Sequence, residues 1–184
     1  MIIDPGDDAD FIIHKIEDLE LNPVRIILTH AHFDHILAVN ELKTIFSIPM
    51  LMDEREEVIL SKMRSSCRYF CLFHPGPPPL ADSYFHEGEK IKFGGQYVRI
   101  LETPGHTPGG VCFYSQKDNL LFCGDTIFAD GAVGRTDLAE GDEELLLKSI
   151  KDKIFKLPDD MVLLPGHGEK STIGREKQIS TRNF

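Results

Sequence analysis

The sequence predicts an α/β sandwich in which outer helices cover two mixed sheets. Three observations carry that expectation. Short β-type runs alternate with helical ones at both ends of the chain, and the middle reads as successive hairpins. The 184 residues, 41% hydrophobic and 27% charged, suffice for one globular domain over 1–184 with little left over. No repeat, low-complexity tract or Gly/Ser-rich linker interrupts the pattern.

Taken in order, Ile2-Ile3 is a strand end that stops at the turn signal Asp4-Pro5-Gly6. Asp7 or Asp8 can cap a helix over 9–19, where Ile12, Ile16 and Leu19 recur at helical spacing. A buried strand follows at 25–29, then an amphipathic helix over 36–46, a short strand at 49–52 and a helix over 54–62. From 63 to 83 the pattern dissolves towards Pro75-Gly76-Pro77-Pro78-Pro79, which predicts a long surface loop bordering a functional site. Gly94-Gly95 joins strands at 90–93 and 97–102 as a hairpin. A polar turn at 116–119 joins strands at 111–114 and 120–123. Gly141 and Asp142 precede a helix over 143–156, and a strand at 161–164 and a short helix after Ser171 close the chain.

The formal net charge of −10 is spread along the chain rather than blocked, which suits a nucleic-acid partner poorly, because phosphate contacts need clustered Lys and Arg. The longest apolar runs are too short to span a bilayer, and no charged-then-apolar leader opens the chain. A cytoplasmic protein acting on a small molecule is therefore expected, with no membrane partner. The four cysteines, Cys67, Cys71, Cys112 and Cys123, form no disulfide framework for a chain of this size. Cys67 and Cys71 could share a helix face, but without a second close pair they read as free thiols rather than metal ligands.

The stretch after the strand at 25–29 carries the chemistry: His30-Ala31-His32-Phe33-Asp34-His35. In extended backbone, residues two apart point the same way, so His30, His32 and Asp34 project to one side. His35 stands at the turn into the next helix and can aim at the same place. Four good ligands at a strand's C-terminal end make a metal site the natural reading. Three further segments repeat one arrangement, a ligand type leaving an apolar strand. They are His106 within Thr103-Pro104-Gly105-His106-Thr107, Asp125 after Gly124, and His167 within Pro165-Gly166-His167-Gly168. His14, on the polar face of the first helix, and His74 and His86, in or near the long loop, lack that setting.

These motifs together resemble those of the metallo-β-lactamase superfamily, with Asp4-Pro5-Gly6 similar to its first motif. The resemblance covers essentially the whole chain and is nearest to the short glyoxalase II-like hydrolases. Gly134-Arg135-Thr136-Asp137 and Ser171-Thr172-Ile173-Gly174-Arg175-Glu176 look like that group's later signatures. It implies the metallo-β-lactamase fold, an αββα sandwich, and two divalent ions, Zn²⁺ with Fe or Mn as alternatives. His30, His32 and His106 would hold the first ion and Asp34, His35 and His167 the second, with Asp125 as the bridge. Asp34 and Asp125 are the implied catalytic carboxylates. The implied reaction is thioester hydrolysis, of a hydroxyacyl-glutathione for example, by a hydroxide shared between the metals. Asp4 is either an orienting partner of a ligand His or a turn former. Arg135 either steadies its loop or meets an anionic substrate.

Three departures qualify the resemblance. Gly110 stands where full glyoxalase II has a second His. The C-terminal domain that supplies its glutathione-binding residues has no counterpart here. The hairpin that usually precedes Asp-Pro-Gly has no counterpart before Ile2-Ile3, and the expectation is either self-association through that unpaired strand edge or a sequence shortened from a longer natural chain. Rival readings on the same fold are a persulfide dioxygenase with a single iron, and a lactonase. The dioxygenase shares the His-x-His-x-Asp-His run but typically reads Pro-Ala-His-Asp where this chain has Pro165-Gly166-His167-Gly168.

Overall fold

Each helical crossover in the first half of the chain returns the backbone to one sheet in the same direction. The computed structural model describes residues 1–71 and 75–183, and these divide into two units, Met1–Phe85 and His86–Phe184. The first holds strands β1 (Ile2–Ile3), β2 (Ile26–Ile27), β3 (Met50–Met52) and β4 (Ser83–Tyr84), and helices α1 (Ala9–Asp18), α2 (Val39–Phe46), α3 (Glu57–Ser61) and α4 (Met63–Cys71). Its strands pair in the order β1-β2-β3-β4, with Ile26 opposite both Ile2 and Met50. The sequence suggested that both sheets are mixed. This one is parallel throughout, because a helix separates each strand from the next and a crossover, unlike a hairpin, preserves strand direction.

Sequence pattern explains the packing. Ile26, Ile27 and Leu28 are fully buried, as a parallel strand covered on both faces requires. Asp8 caps α1 by accepting from Phe11 N–H at 3.1 Å, and Ile12, Ile13 and Ile16 of that helix face inward. Val39 and Leu42 do the same for α2. Ile26, Ile27, Leu28, Val39 and Leu42, the fully buried ones, each contribute about 1.5–3 kcal/mol.

The expected loop over 63–83 is corrected at its start. Residues Met63–Cys71 form α4, with Met63 and Cys67, one turn apart, buried in the core and Arg64 and Arg68 exposed. Sparse apolar content hid this helix, yet no Gly or Pro interrupts it before Pro75. Strand β4 also escaped notice, since Ser83 and Tyr84 are both exposed and show no alternation. His74 lies outside the described residues, as does the side chain of Cys71.

The second unit contains β5 (Lys90–Phe93), β6 (Gln96–Glu102), β7 (Val111–Ser115), β8 (Leu120–Gly124), α5 (Glu143–Asp152), β9 (Val162–Pro165), β10 (Ser171–Thr172) and α6 (Ile173–Asn183). Its sheet runs β10-β9-β8-β7-β6-β5 and is mixed. The hairpins are antiparallel, while β8 and β9, separated by α5, are parallel. Leu121, Leu146, Ile150, Ile154, Leu163 and Ile173 centre its core. Glu176 of α6, fully buried, accepts from Gly131 N–H at 2.7 Å and from the Ser171 hydroxyl, tying the helix to a 3₁₀ turn at Ala129–Gly131. No helix among the described residues is long and apolar enough to cross a membrane.

Cys67, Cys112 and Cys123 are free and buried. Burial pushes the Cys112 thiol up to about 11 despite the Thr103 and Thr126 hydroxyls beside it, and burial likewise raises Cys123. Since the thiolate is the nucleophile, an alkylating reagent at pH 8 should leave both unmodified in the folded protein and label both in urea, as read by mass spectrometry. Rapid labelling of either without denaturant would show that this sheet opens readily.

Candidate metal centre

The ligand run of the first unit begins where the sheet ends. β2 remains paired up to Leu28, whose N–H donates to the Leu51 carbonyl at 3.0 Å. His32 is still extended, at φ −63° and ψ 146°, and Phe33–His35 then forms a 3₁₀ turn. The two-residue alternation therefore accounts for His30 and His32, while the turn, not an extended strand, places Asp34 and His35. The His30 ring centroid lies 4.9 Å from that of His32 and 4.1 Å from that of His35. His30 and His35 are buried, and Asp34 is exposed.

Hydrogen bonds decide which ring nitrogens face a metal. The Asp4 carboxylate accepts from Thr29 N–H at 2.7 Å, from the Thr29 hydroxyl, and from His35 Nδ1 at 3.1 Å. Having given its one proton to Asp4, the Thr29 oxygen accepts from His30 Nδ1 at 3.0 Å. Both imidazoles thus carry their proton on Nδ1 and present an Nε2 lone pair. Donor atoms of Asp4, His30 and His35 lie within 4.8 Å of one another. Asp4 has both oxygens engaged by Thr29 and His35 and also makes the turn at φ 43°, so both sequence readings of it are compatible with the structure. Gly6, just after it, donates to the His35 carbonyl at 3.0 Å and anchors the turn.

The second unit builds its set from three strand ends. His106 follows β6 in a loop closed by Thr103 N–H donating to the Gly110 carbonyl at 2.7 Å. Its Nδ1 donates to the Arg135 carbonyl at 2.7 Å, again leaving Nε2 as the lone-pair nitrogen. Asp125 and His167 leave the adjacent parallel strands β8 and β9. Asp125 Oδ2 lies 3.7 Å from His106 Nε2 and 3.6 Å from His167 Nε2. Those gaps are too long for hydrogen bonds. They match two ligand atoms each about 2.0–2.2 Å from one ion, so the donor set fits a divalent metal.

Arg135 holds its loop through both side chain and backbone. The guanidinium forms a two-pronged pair with Asp137 at 2.8 Å, while the backbone carbonyl holds His106. Gly134 makes this possible. A Cβ there would sit 1.9 Å from the Asp125 carbonyl oxygen and 3.0 Å from the His106 ring. The sequence offered no reason for this glycine beyond its motif, and none for Thr29 as the link between Asp4 and His30. His14 and His86, set aside from the sequence, are exposed.

The model of the metallo-beta-lactamase superfamily matches residues 1–167. The chain is 39% identical over 180 residues to the hydroxyacylglutathione hydrolase GloC of Haemophilus influenzae, covering 96% of this chain and 84% of that protein. Among solved structures, the BLEG-1 B3 metallo-beta-lactamase superposes with a TM-score of 0.89 at 38% identity, covering 96% and 84% of the two chains. TTHA1623 in a di-iron-bound form gives 0.87 at 33% identity, covering 96% and 86%.

The close approach at Gly134 yields a direct test. Gly134→Ala should push apart the Asp125 carbonyl and the His106 ring and weaken metal binding about 10–100-fold, measured by competition with a chelator. Native affinity in the alanine variant would show that this loop does not position His106.

Proposed function

The chain belongs to the metallo-β-lactamase superfamily, and from that footing we propose that it is a binuclear metallo-hydrolase of thioesters such as hydroxyacyl-glutathione. The observation that carries the reading is the pair of ligand sets, each with imidazoles turned so that Nε2 is the donor. The two units would act as one domain over 1–184 and pool their ligands. His30, His32 and His106 would hold one ion, Asp34, His35 and His167 the other, and Asp125 both. Likeness to GloC supports the substrate class. The ions are taken as Zn²⁺, and the di-iron form of TTHA1623 favours iron as the second candidate. The expected setting is the cytoplasm.

Two divalent ions supply Lewis acidity and lower the pKa of water towards neutrality. The chain's own groups set the rest. Asp34 and Asp125 offset two of the four positive charges, which leaves the centre cationic and attractive to an anionic thioester within a chain of net charge −10. Neutral imidazoles add no charge of their own. Asp4, Thr29 and the Arg135 carbonyl hold the rings in place, so the ligands need not reorganise as charge develops on the carbonyl oxygen.

An aromatic flank accompanies the first ligand set. Phe33, between His32 and Asp34, stacks on Phe70 of α4 with centroids 6.0 Å apart, and Tyr69 meets Phe70 edge-on at 4.8 Å. Tyr69 is 79% exposed and Phe70 46%. We assign this flank to the apolar part of the substrate, which places the segment that starts at Met63 beside the entrance.

Asp125→Ala should lower thioester hydrolysis by at least about 100-fold, since it removes the only carboxylate of the second set. His14→Ala, on the exposed face of α1, should leave kcat/KM within about twofold. Comparable losses in both would mean the site is drawn wrongly. Replacing Tyr69 and Phe70 by Ala should raise KM about fivefold for thioesters with apolar acyl groups, with kcat and metal content unchanged. An unaltered KM would remove the flank from substrate binding.

A further inference from the structure

Past Leu28, carboxylates take over from the sheet. Thr29 N–H donates to Asp4 Oδ1 at 2.7 Å, and Ala31 N–H donates to Glu56 Oε2 at 2.7 Å. The two acids come from the strands on either side of β2. Asp4 directly follows β1, and Glu56 ends the 3₁₀ turn Glu54–Glu56 that follows β3. Asp53 shapes that turn by accepting from Arg55 N–H at 2.9 Å and pairing with the Arg55 guanidinium at 2.7–2.8 Å.

Glu56 and Ala31 are both fully buried. Burying a carboxylate is costly unless its hydrogen bonds return that cost. An apolar residue here would take that acceptor away from the buried Ala31 amide. What Glu56 grips is the peptide between His30 and His32, and turning that peptide turns both imidazoles. We propose that Glu56 is a positioning residue of the metal centre, holding the His30–Ala31 peptide so that both rings stay aimed at an ion. The proposal rests on the ligand reading of His30 and His32 given above. It makes Glu56 the counterpart of Asp4: one acid sets ring tautomers, the other sets the backbone that bears the rings.

The test separates geometry from charge. Glu56→Gln keeps the length and an acceptor oxygen, whereas Glu56→Asp keeps the charge but falls one methylene short. Metal-stripped protein is titrated with Zn²⁺ against a chromophoric chelator, with thermal unfolding of the metal-free forms alongside. Glu56→Gln should bind within about threefold of the parent, and Glu56→Asp and Glu56→Ala about 10–100-fold more weakly. If Glu56→Ala does not fold, the Asp and Gln variants decide the matter alone. Binding by Glu56→Asp as tight as by Glu56→Gln overturns the proposal. His30→Ala is the reference. Undiminished zinc affinity there would overturn the ligand reading itself, whereas loss there with none in Glu56→Asp overturns only the role of Glu56.

Discussion

The Thr29 hydroxyl carries a single proton, and its donation to Asp4 obliges the oxygen to accept from His30 Nδ1. His35 is bound to the same carboxylate, so one acid governs the tautomers of two candidate ligands. This explains why the Asp4-Pro5-Gly6 turn must follow β1 immediately. Asp4 sits at φ 43°, a left-handed conformation that Asp tolerates better than most residues, and from there its side chain reaches across to the end of β2. Gly6 then anchors the His35 carbonyl, so ring and backbone of that ligand are held by one short segment.

The second unit reaches the same end by backbone rather than side chain. The acceptor for His106 is the Arg135 carbonyl, and it can approach because residue 134 has no Cβ. Gly105 serves similarly, at φ 134° and with a Cβ position only 2.3 Å from Leu146 N, which lets the His106 loop pack on the start of α5. Close approach of backbone therefore replaces the carboxylate used in the first unit. The parallel pairing of β8 and β9 does the rest, delivering Asp125 and His167 from adjacent strand ends.

These supports share an electrostatic logic. The candidate ligand imidazoles His30, His35 and His106 each donate from Nδ1 to an acceptor, which raises the basicity of Nε2. The buried thiols contribute nothing of the kind. Cys112 and Cys123 sit beneath the His106 and Asp125 loops among Thr103, Thr126 and the Ile127 carbonyl, and burial keeps them protonated. They pack strands β7 and β8, the second of which leads directly to Asp125.

By itself the sequence determined the family and the candidate ligands. Ligand types at two-residue spacing after an apolar strand, repeated by His106, Asp125 and His167 after others, are local patterns that survive without coordinates. Helices with clear apolar spacing, such as α1, α2 and α5, were legible for the same reason. Elements whose form depends on distant partners were not. Strands β4 and β10 are two residues long and exist only because a neighbour offers its edge, and α4 is helical largely because Met63 and Cys67 find a core to enter. The supports of the candidate ligands belong to this second kind. Glu56 stands 25 residues from the amide it holds, and Arg135 29 residues from His106. Only the tertiary structure could decide these, because a hydrogen bond between distant residues leaves no periodicity in the chain to announce it.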